Sequence, residues 1–201
     1  MSVSNFEIRP LNLENAACVR QPRFADGRGS FSVLANHELF ASLGMQTSFL
    51  QQNMSISKAA GTVRGLHYQA PPAAQAKLVN VISGRIFDVL VDARPNSPGF
   101  GRHCTVTLDA DTPTGVFVPR GFLHGFMTLE PETTVLYTVD HPYAPDLDVS
   151  IAWNDPELGI EWPFDPSEVT LSGKDVAGAP WSSVGDTFDS IVCGPGQDTR
   201  S

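Results

Sequence analysis

The chain has 201 residues, with 22 acidic against 13 basic side chains and a formal charge of −9. That length supports one sizeable core, so a single domain over 1–201 is expected, its core at about 20–180. The negative balance argues against binding nucleic acid or an anionic membrane through bulk charge, so an anionic ligand must be met by locally placed arginines and lysines.

Met1 to Val19 mixes polar and apolar residues and predicts one or two early strands. Pro22 to Gly29 reads as a turn around Asp26-Gly27, followed by a short strand over Ser30–Leu34. Asn36 to Leu43 predicts a helix: Asn36 caps it, Leu39, Phe40 and Leu43 form an apolar stripe, and Gly44 stops it. Ser48–Ser57 predicts a strand with Phe49, Gln51 and Asn53 on one face and Leu50, Gln52 and Met54 on the other. From Val63 to Val139 nearly every segment reads as β. Ser83-Gly84 between Leu78–Ile82 and Arg85–Asp92 predicts a two-residue hairpin. Strands at Cys104–Leu108, Val116–Val118, Phe122–Thr128 and Thr133–Val139 follow, each bounded by turn residues. Many short strands with frequent turns predict an all-β sandwich or small barrel with few short helices. After Tyr143 the chain becomes irregular, and Trp153, Trp162 and Trp181 are expected to pin this section onto the sheets. A flexible tail is expected at about 190–201.

Cys18, Cys104 and Cys193 are odd in number and contain no CxxC pair, which predicts free thiols in a reducing compartment. Met1 to Pro10 holds no apolar run, and no stretch reaches the roughly 20 apolar residues of a membrane span. A soluble, cytoplasmic protein is expected.

The chemistry concentrates in Arg64–Lys77. Strand alternation puts Arg64, Leu66 and Tyr68 on one face and Val63, Gly65, His67 and Gln69 on the other. Pro71-Pro72 breaks the ladder, and the chain re-enters a strand at Lys77. A histidine that can take a proton near neutral pH, beside an ammonium that can stabilise a negative oxygen, suits proton abstraction next to a carbonyl. Asp88, in the apolar strand FDVLVD, would be costly to bury alone and needs a histidine or a backbone group as partner. A metal site is not expected. Only His67 and His124 would converge, with the Lys77 charge among the ligands.

Several motifs in order, QQNMSISKAAGTVRGLHYQ, AKLVNVISGRIFDVLVDAR, VPRGFLHGF, LYTVDHPYAP and WNDPELGIEWP, resemble the dTDP-4-dehydrorhamnose 3,5-epimerase family. The resemblance implies a cupin-type jelly roll, a homodimer, and epimerisation of a nucleotide-linked 4-keto-6-deoxyhexose without cofactor or metal. It implies His67 as the base, Asp175 as the carboxylate that orients it, Lys77 as the enolate stabiliser and Tyr137 as the acid on the opposite face. It further implies substrate contacts from Arg28, Phe31, Gln52, Asn53, Arg64, His124, Tyr143, Asp148 and Lys174, with Arg28 reaching the partner subunit's site. The chain departs from the family pattern at Val33, where the family has Glu, at Gln52 in place of Asp, at Pro142-Tyr143 and at Asp146. These positions bear on ligand fit, so an epimerase acting at C3 or C5 alone, or on another nucleotide sugar, is the alternative. A ketoisomerase would not need Tyr137, and a non-catalytic cupin would not need the dyad.

Overall fold

A computed structural model describes residues 5–184. Cys193 and the tail expected to be flexible lie outside them. The strands β1 (Glu7–Pro10) and β2 (Ala17–Arg20) open the chain, and β3 (Arg23–Asp26) and β4 (Gly29–Ser32) form a separate hairpin. The turn expected over Pro22–Gly29 therefore shrinks to Gly27 and Arg28, and its flanks extend and pair. Helix α1 (His37–Ser42) begins where Asn36 Oδ1 accepts from the Leu39 N–H at 2.8 Å, with Leu39 and Phe40 buried. Then come β5 (Gln51–Ser57), β6 (Val63–Gln69), β7 (Lys77–Ser83), β8 (Arg85–Asp92), β9 (His103–Asp109), β10 (Thr114–Val118), β11 (Phe122–Thr128) and β12 (Thr133–Val139). The short β13 (Asp148–Ser150) and α2 (Gly173–Val176) belong to the irregular C-terminal section.

One sheet has the order β1-β2-β10-β7-β12-β5, and the other β13-β6-β11-β8-β9. Pairing within both is antiparallel. Two stacked antiparallel sheets with these crossovers make a cupin-type jelly roll. Ser83-Gly84 does not close a hairpin: β7 and β8 lie in different sheets. At Gly84 φ is 78°, and a Cβ there would sit 2.3 Å from Thr133 Oγ1. The residue is a corner that sends the chain from one sheet to the other.

Alternation decides what each face buries. Val79, Val81, Val116, Val118 and Val135 of the first sheet meet Ile86, Leu90, Leu108, Phe122 and Phe126 of the second. Each such side chain stabilises by about 1.5–3 kcal/mol on full burial. On β8, Ile86 and Leu90 face this core, and Val89 and Val91 lie on the outer face beneath the C-terminal section. That section is pinned by tryptophans: Trp153 and Trp181 are buried, and Trp162 donates its indole N–H to the Trp153 carbonyl at 2.8 Å.

The alternation expected for β6 fails at one point. His124 pairs with His67, but Phe126 pairs with Arg64, so β6 carries one extra residue between them. This bulge inverts the parity upstream of His67. Leu66 and Tyr68 pack outward, while Arg64 crosses to β5 and donates to Ser57 Oγ at 3.2 Å and to the Ile56 carbonyl. Arg64 thus leaves the face of Leu66 and Tyr68 and turns to the same side as His67. Gly65, at φ 132°, makes the approach of β6 to β11 possible, because a Cβ there would meet the Gly125 Cα at 2.5 Å. We expect Gly65→Ala to cost about 3 kcal/mol and to lower the Tm by roughly 6–12 °C. A thermal melt checks this, and an unchanged Tm would contradict so close a contact.

Candidate active site

A cavity of about 410 Å³ opens between the two sheets. The first sheet contributes Lys77 from β7, Tyr137 from β12, and Gln51 and Asn53 from β5. The second contributes His67 and Gln69 from β6 and Asp148 from β13. Tyr143, Gln75 and Lys174 complete the wall from the loops and α2.

His67 is tied to the C-terminal section. Its Nε2 lies 2.6 Å from Asp175 Oδ1. The pair is a direct contact between the ring nitrogen and the carboxylate. In this orientation Nδ1 is the ring nitrogen turned away from the carboxylate. Asp175 is held in turn. The Ser172 hydroxyl donates to its Oδ2 at 2.6 Å, and the Gly65 N–H to its Oδ1 at 3.3 Å. Ser172 also caps α2 by accepting from the Asp175 N–H.

Burial pushes the His67 pKa down; Asp175 opposes this, and the Lys174 and Lys77 charges add to it. The imidazole is therefore neutral, a competent base, at neutral pH. For Asp175, burial acts upward but is outweighed by His67 and Ser172, and the pKa falls. Burial raises Tyr137, against the Arg64 charge, so the phenol keeps its proton. Burial pushes the Lys77 ammonium down to about 8, with Asp148 and Asp88 opposing. A base and an acid thus face one space from opposite sheets, with a cation on the acid's side.

The mouth is ordered by hydrogen bonds. Asp148 Oδ2 accepts from the Tyr143 hydroxyl at 2.7 Å and from the Lys174 ammonium. Gln69 donates to the carbonyls of Ala73 and Pro142 and accepts from the Ala144 N–H, tying both flanking loops together. Buried Asp140 pairs with Arg120 and accepts from the Ala76 N–H at 2.8 Å, fixing the chain just before Lys77.

The other expected contacts lie elsewhere. Gln52 points to the opposite face of β5 from Asn53, and Gln51 takes the place beside it in the cavity. Strict alternation forbids adjacent residues from sharing a face, so Gln51 with Asn53 was the readable pair. His124 does not line the cavity. It is buried behind His67, with its Nε2 2.9 Å from Asp88 Oδ2, which answers what Asp88 bonds to. Arg28 pairs with Asp26 at the tip of the β3–β4 hairpin. Phe31 stacks on Phe24 there, 65% and 55% exposed. Gln69 was read onto the face of His67 but given no role, and Gln75 was not singled out in the sequence. Among the described residues no group of three or more His, Cys, Asp or Glu is placed to hold a metal ion.

The fold and cavity define a jelly-roll protein equipped for acid–base chemistry between its sheets. Comparison narrows this. The family model described as dTDP-4-dehydrorhamnose 3,5-epimerase matches residues 10–183. The Salmonella typhimurium protein of that name is 43% identical over 155 residues, covering 77% of this chain and 84% of its own. The Bacillus anthracis enzyme, solved with TDP and PPi bound, is 42% identical with a TM-score of 0.82, covering 87% of this chain and 99% of that one. The Legionella pneumophila enzyme, solved in complex with dTDP-4-keto-L-rhamnose, is 34% identical with a TM-score of 0.83, covering 89% and 94%. The chain belongs to the dTDP-4-dehydrorhamnose 3,5-epimerase family.

Because the folded-state pKa of Lys77 lies below the unfolded value of about 10.5, its charge opposes folding at neutral pH. This penalty fades as pH rises from about 8 towards 10.5. We expect Lys77→Met to raise the unfolding free energy at pH 7 by roughly 1–3 kcal/mol, and by less at pH 10. Urea denaturation at both values checks it; no gain at pH 7 would contradict the burial penalty.

Proposed function

We propose that this chain is an isomerase that epimerises dTDP-4-dehydro-6-deoxy-D-glucose at C3 and C5 without a cofactor. The observation that carries the reading is the pair His67 and Tyr137, set on opposing sheets around one cavity with Lys77 beside the phenol's strand. His67 takes the proton from the carbon next to the C4 ketone through Nδ1. The electron pair moves into the ketone oxygen, and the enolate is stabilised by the Lys77 ammonium. Tyr137 returns a proton to the opposite face of the carbon, inverting it. Solvent then reprotonates the phenolate and takes the proton from His67. Asp175 keeps the ring oriented and supports its cationic form. Inversion of the second carbon repeats these steps after the sugar turns.

Asn53, Gln51, Tyr143, Asp148 and Lys174 are proposed to hold the substrate, with Arg64 supplying a planar fork for phosphate oxygens. Tyr143 is the proposed stacking surface for the base. His124 is proposed to act from behind the wall, and Gln52 to make no contact in its own subunit's cavity. The chain is proposed to work as a homodimer. The β3–β4 hairpin carries two exposed aromatic rings and Arg28 away from this cavity, as expected if Phe31 and Arg28 complete the partner subunit's site. No helix among the described residues is long and apolar enough to cross a membrane. A cytoplasmic location fits the free Cys18 and Cys104.

Relatives include a 3'-monoepimerase from Streptomyces bikiniensis, 33% identical with a TM-score of 0.80 and 87% coverage of both chains. The test must therefore count carbons. In D2O, proton NMR of dTDP-4-keto-6-deoxyglucose should show deuterium entering at both C3 and C5. Exchange at one carbon alone would replace the reading with a single-centre epimerase, and binding without exchange would end it. His67→Ala should lower exchange at both carbons by at least about 100-fold. The pH profile of kcat/KM should be bell-shaped, with an acidic limb below about 6.5 from His67 and an alkaline limb near 8 as Lys77 loses its charge. Full activity through pH 10 would remove Lys77 from the mechanism.

A further inference from the structure

Lys77 opens β7 between two neighbours in the ladder, Val118 of β10 and Val139 of β12. Arg120 follows the first of these and Asp140 the second. Both strands run antiparallel to β7, so both residues lie beside the segment that leads into Lys77. Their side chains meet there, the Arg120 guanidinium donating to Asp140 Oδ2. Together they grip the incoming segment. Arg120 Nε donates to the Ala74 carbonyl at 3.2 Å, and Asp140 Oδ1 accepts from the Ala76 N–H at 2.8 Å. Between these two points Gln75, which lines the cavity, donates to the His141 carbonyl at 2.6 Å. Asp140 Oδ2 also accepts from the Gln46 N–H at 3.0 Å, which anchors the carboxylate from a further direction. Asp140 is buried, and burying a carboxylate is costly unless its oxygens are met, as both are here.

We propose that Arg120 and Asp140 are positioning residues for Lys77. Their clamp on Ala74 and Ala76 sets where β7 begins, and with it the point from which the Lys77 side chain reaches into the cavity. A lysine carries a point charge on a flexible four-carbon stem, so it is aimed by its anchor. An enolate oxygen is stabilised only by a cation placed where its charge develops, and a displacement of about 1 Å can cost on the order of 100-fold in rate. The proposal rests on the reading of Lys77 as the enolate stabiliser.

The clamp also keeps the segment closed over Lys77, whose burial holds its ammonium low, at about 8. Loosening it admits water and raises that value towards the ordinary lysine range of about 10.5. The titratable and charged groups around Lys77 are Asp88 from β8, Asp148 from β13, Lys174 from α2, His67 from β6 and Tyr137 from β12, with Tyr143 at the mouth. All are untouched by a change at Arg120 or Asp140. In Arg120→Met, kcat for deuterium exchange should fall about tenfold, with KM changed by less than about twofold. The double exchange Arg120→Met/Asp140→Leu removes both charges, so neither is stranded. It should lose kcat to the same extent, and it keeps the test open if Arg120→Met alone folds poorly. NMR titration of the Lys77 ammonium, without substrate, should show its midpoint rise by roughly half a pH unit or more in both variants. That measurement stands even if the wild-type protein exchanges no sugar proton, so failure of the epimerase reading is separable from failure of this one. A merely structural pair would lower the Tm and leave the midpoint where it is, and an unmoved midpoint in a folded variant would overturn the proposal. So would exchange at the wild-type rate in the double variant.

Discussion

The site depends on one long-range contact, the close approach of the His67 imidazole to the Asp175 carboxylate. Burial alone would leave a neutral histidine reluctant to accept a proton, and a buried carboxylate reluctant to ionise. Each offsets the other's penalty, so a group able to take and give back a proton can exist inside a sheet sandwich. The contact joins the middle of β6 to a short helix near the end of the described chain. What brings that helix to the sheet is apolar: Trp153, Trp162 and Trp181 seat the C-terminal section, and the Ser172 cap fixes the start of α2. Packing far from the cavity thereby sets the geometry of His67.

The two-sheet architecture supplies the other half of the chemistry. Inverting a carbon requires proton removal from one side and delivery from the other. A single sheet presents its side chains to a common space from one direction only. Stacked sheets present them from two, and here the second sheet's histidine and the first sheet's tyrosine look into the same cavity. Lys77 shares the tyrosine's sheet, where its charge is strongest because water is largely excluded, and the same exclusion lowers its pKa.

Much of this was legible in the residues, because strand alternation is a strict rule. It separated Gln52 from Asn53 on β5. It failed where the backbone departs from a regular ladder. Gly65 permits an extra residue in β6 and turns Arg64 to the same side as His67. Gly84 permits a corner that a two-residue turn signal disguised as a hairpin. Both are glycines at positive φ, and the sequence announces the glycine but not whether it bends, bulges or turns. In the β3–β4 hairpin only the second strand was readable, as Ser30–Leu34; the turn residues beside it outweighed the weak, exposed β3. Asp88 was readable as a problem but not as a solution, since its partner His124 arrives from a different strand.

The inner row that runs Ser150, His67, His124, Leu90 and Cys104 across the second sheet shows how polarity is graded through the fold. It passes from the Ser150 hydroxyl, through His67 and the Asp88-bonded His124, into apolar core. At the core end, burial raises the Cys104 thiol to about 12, so that end carries no charge. The paired Asp88–His124 contact marks the boundary: it is the last place along the row where buried polar side chains meet, and each bonds the other. On the cavity side of that boundary His67 lines the open space between the sheets. His67 therefore stands one strand in from the edge, buried enough to be held neutral while still lining the cavity.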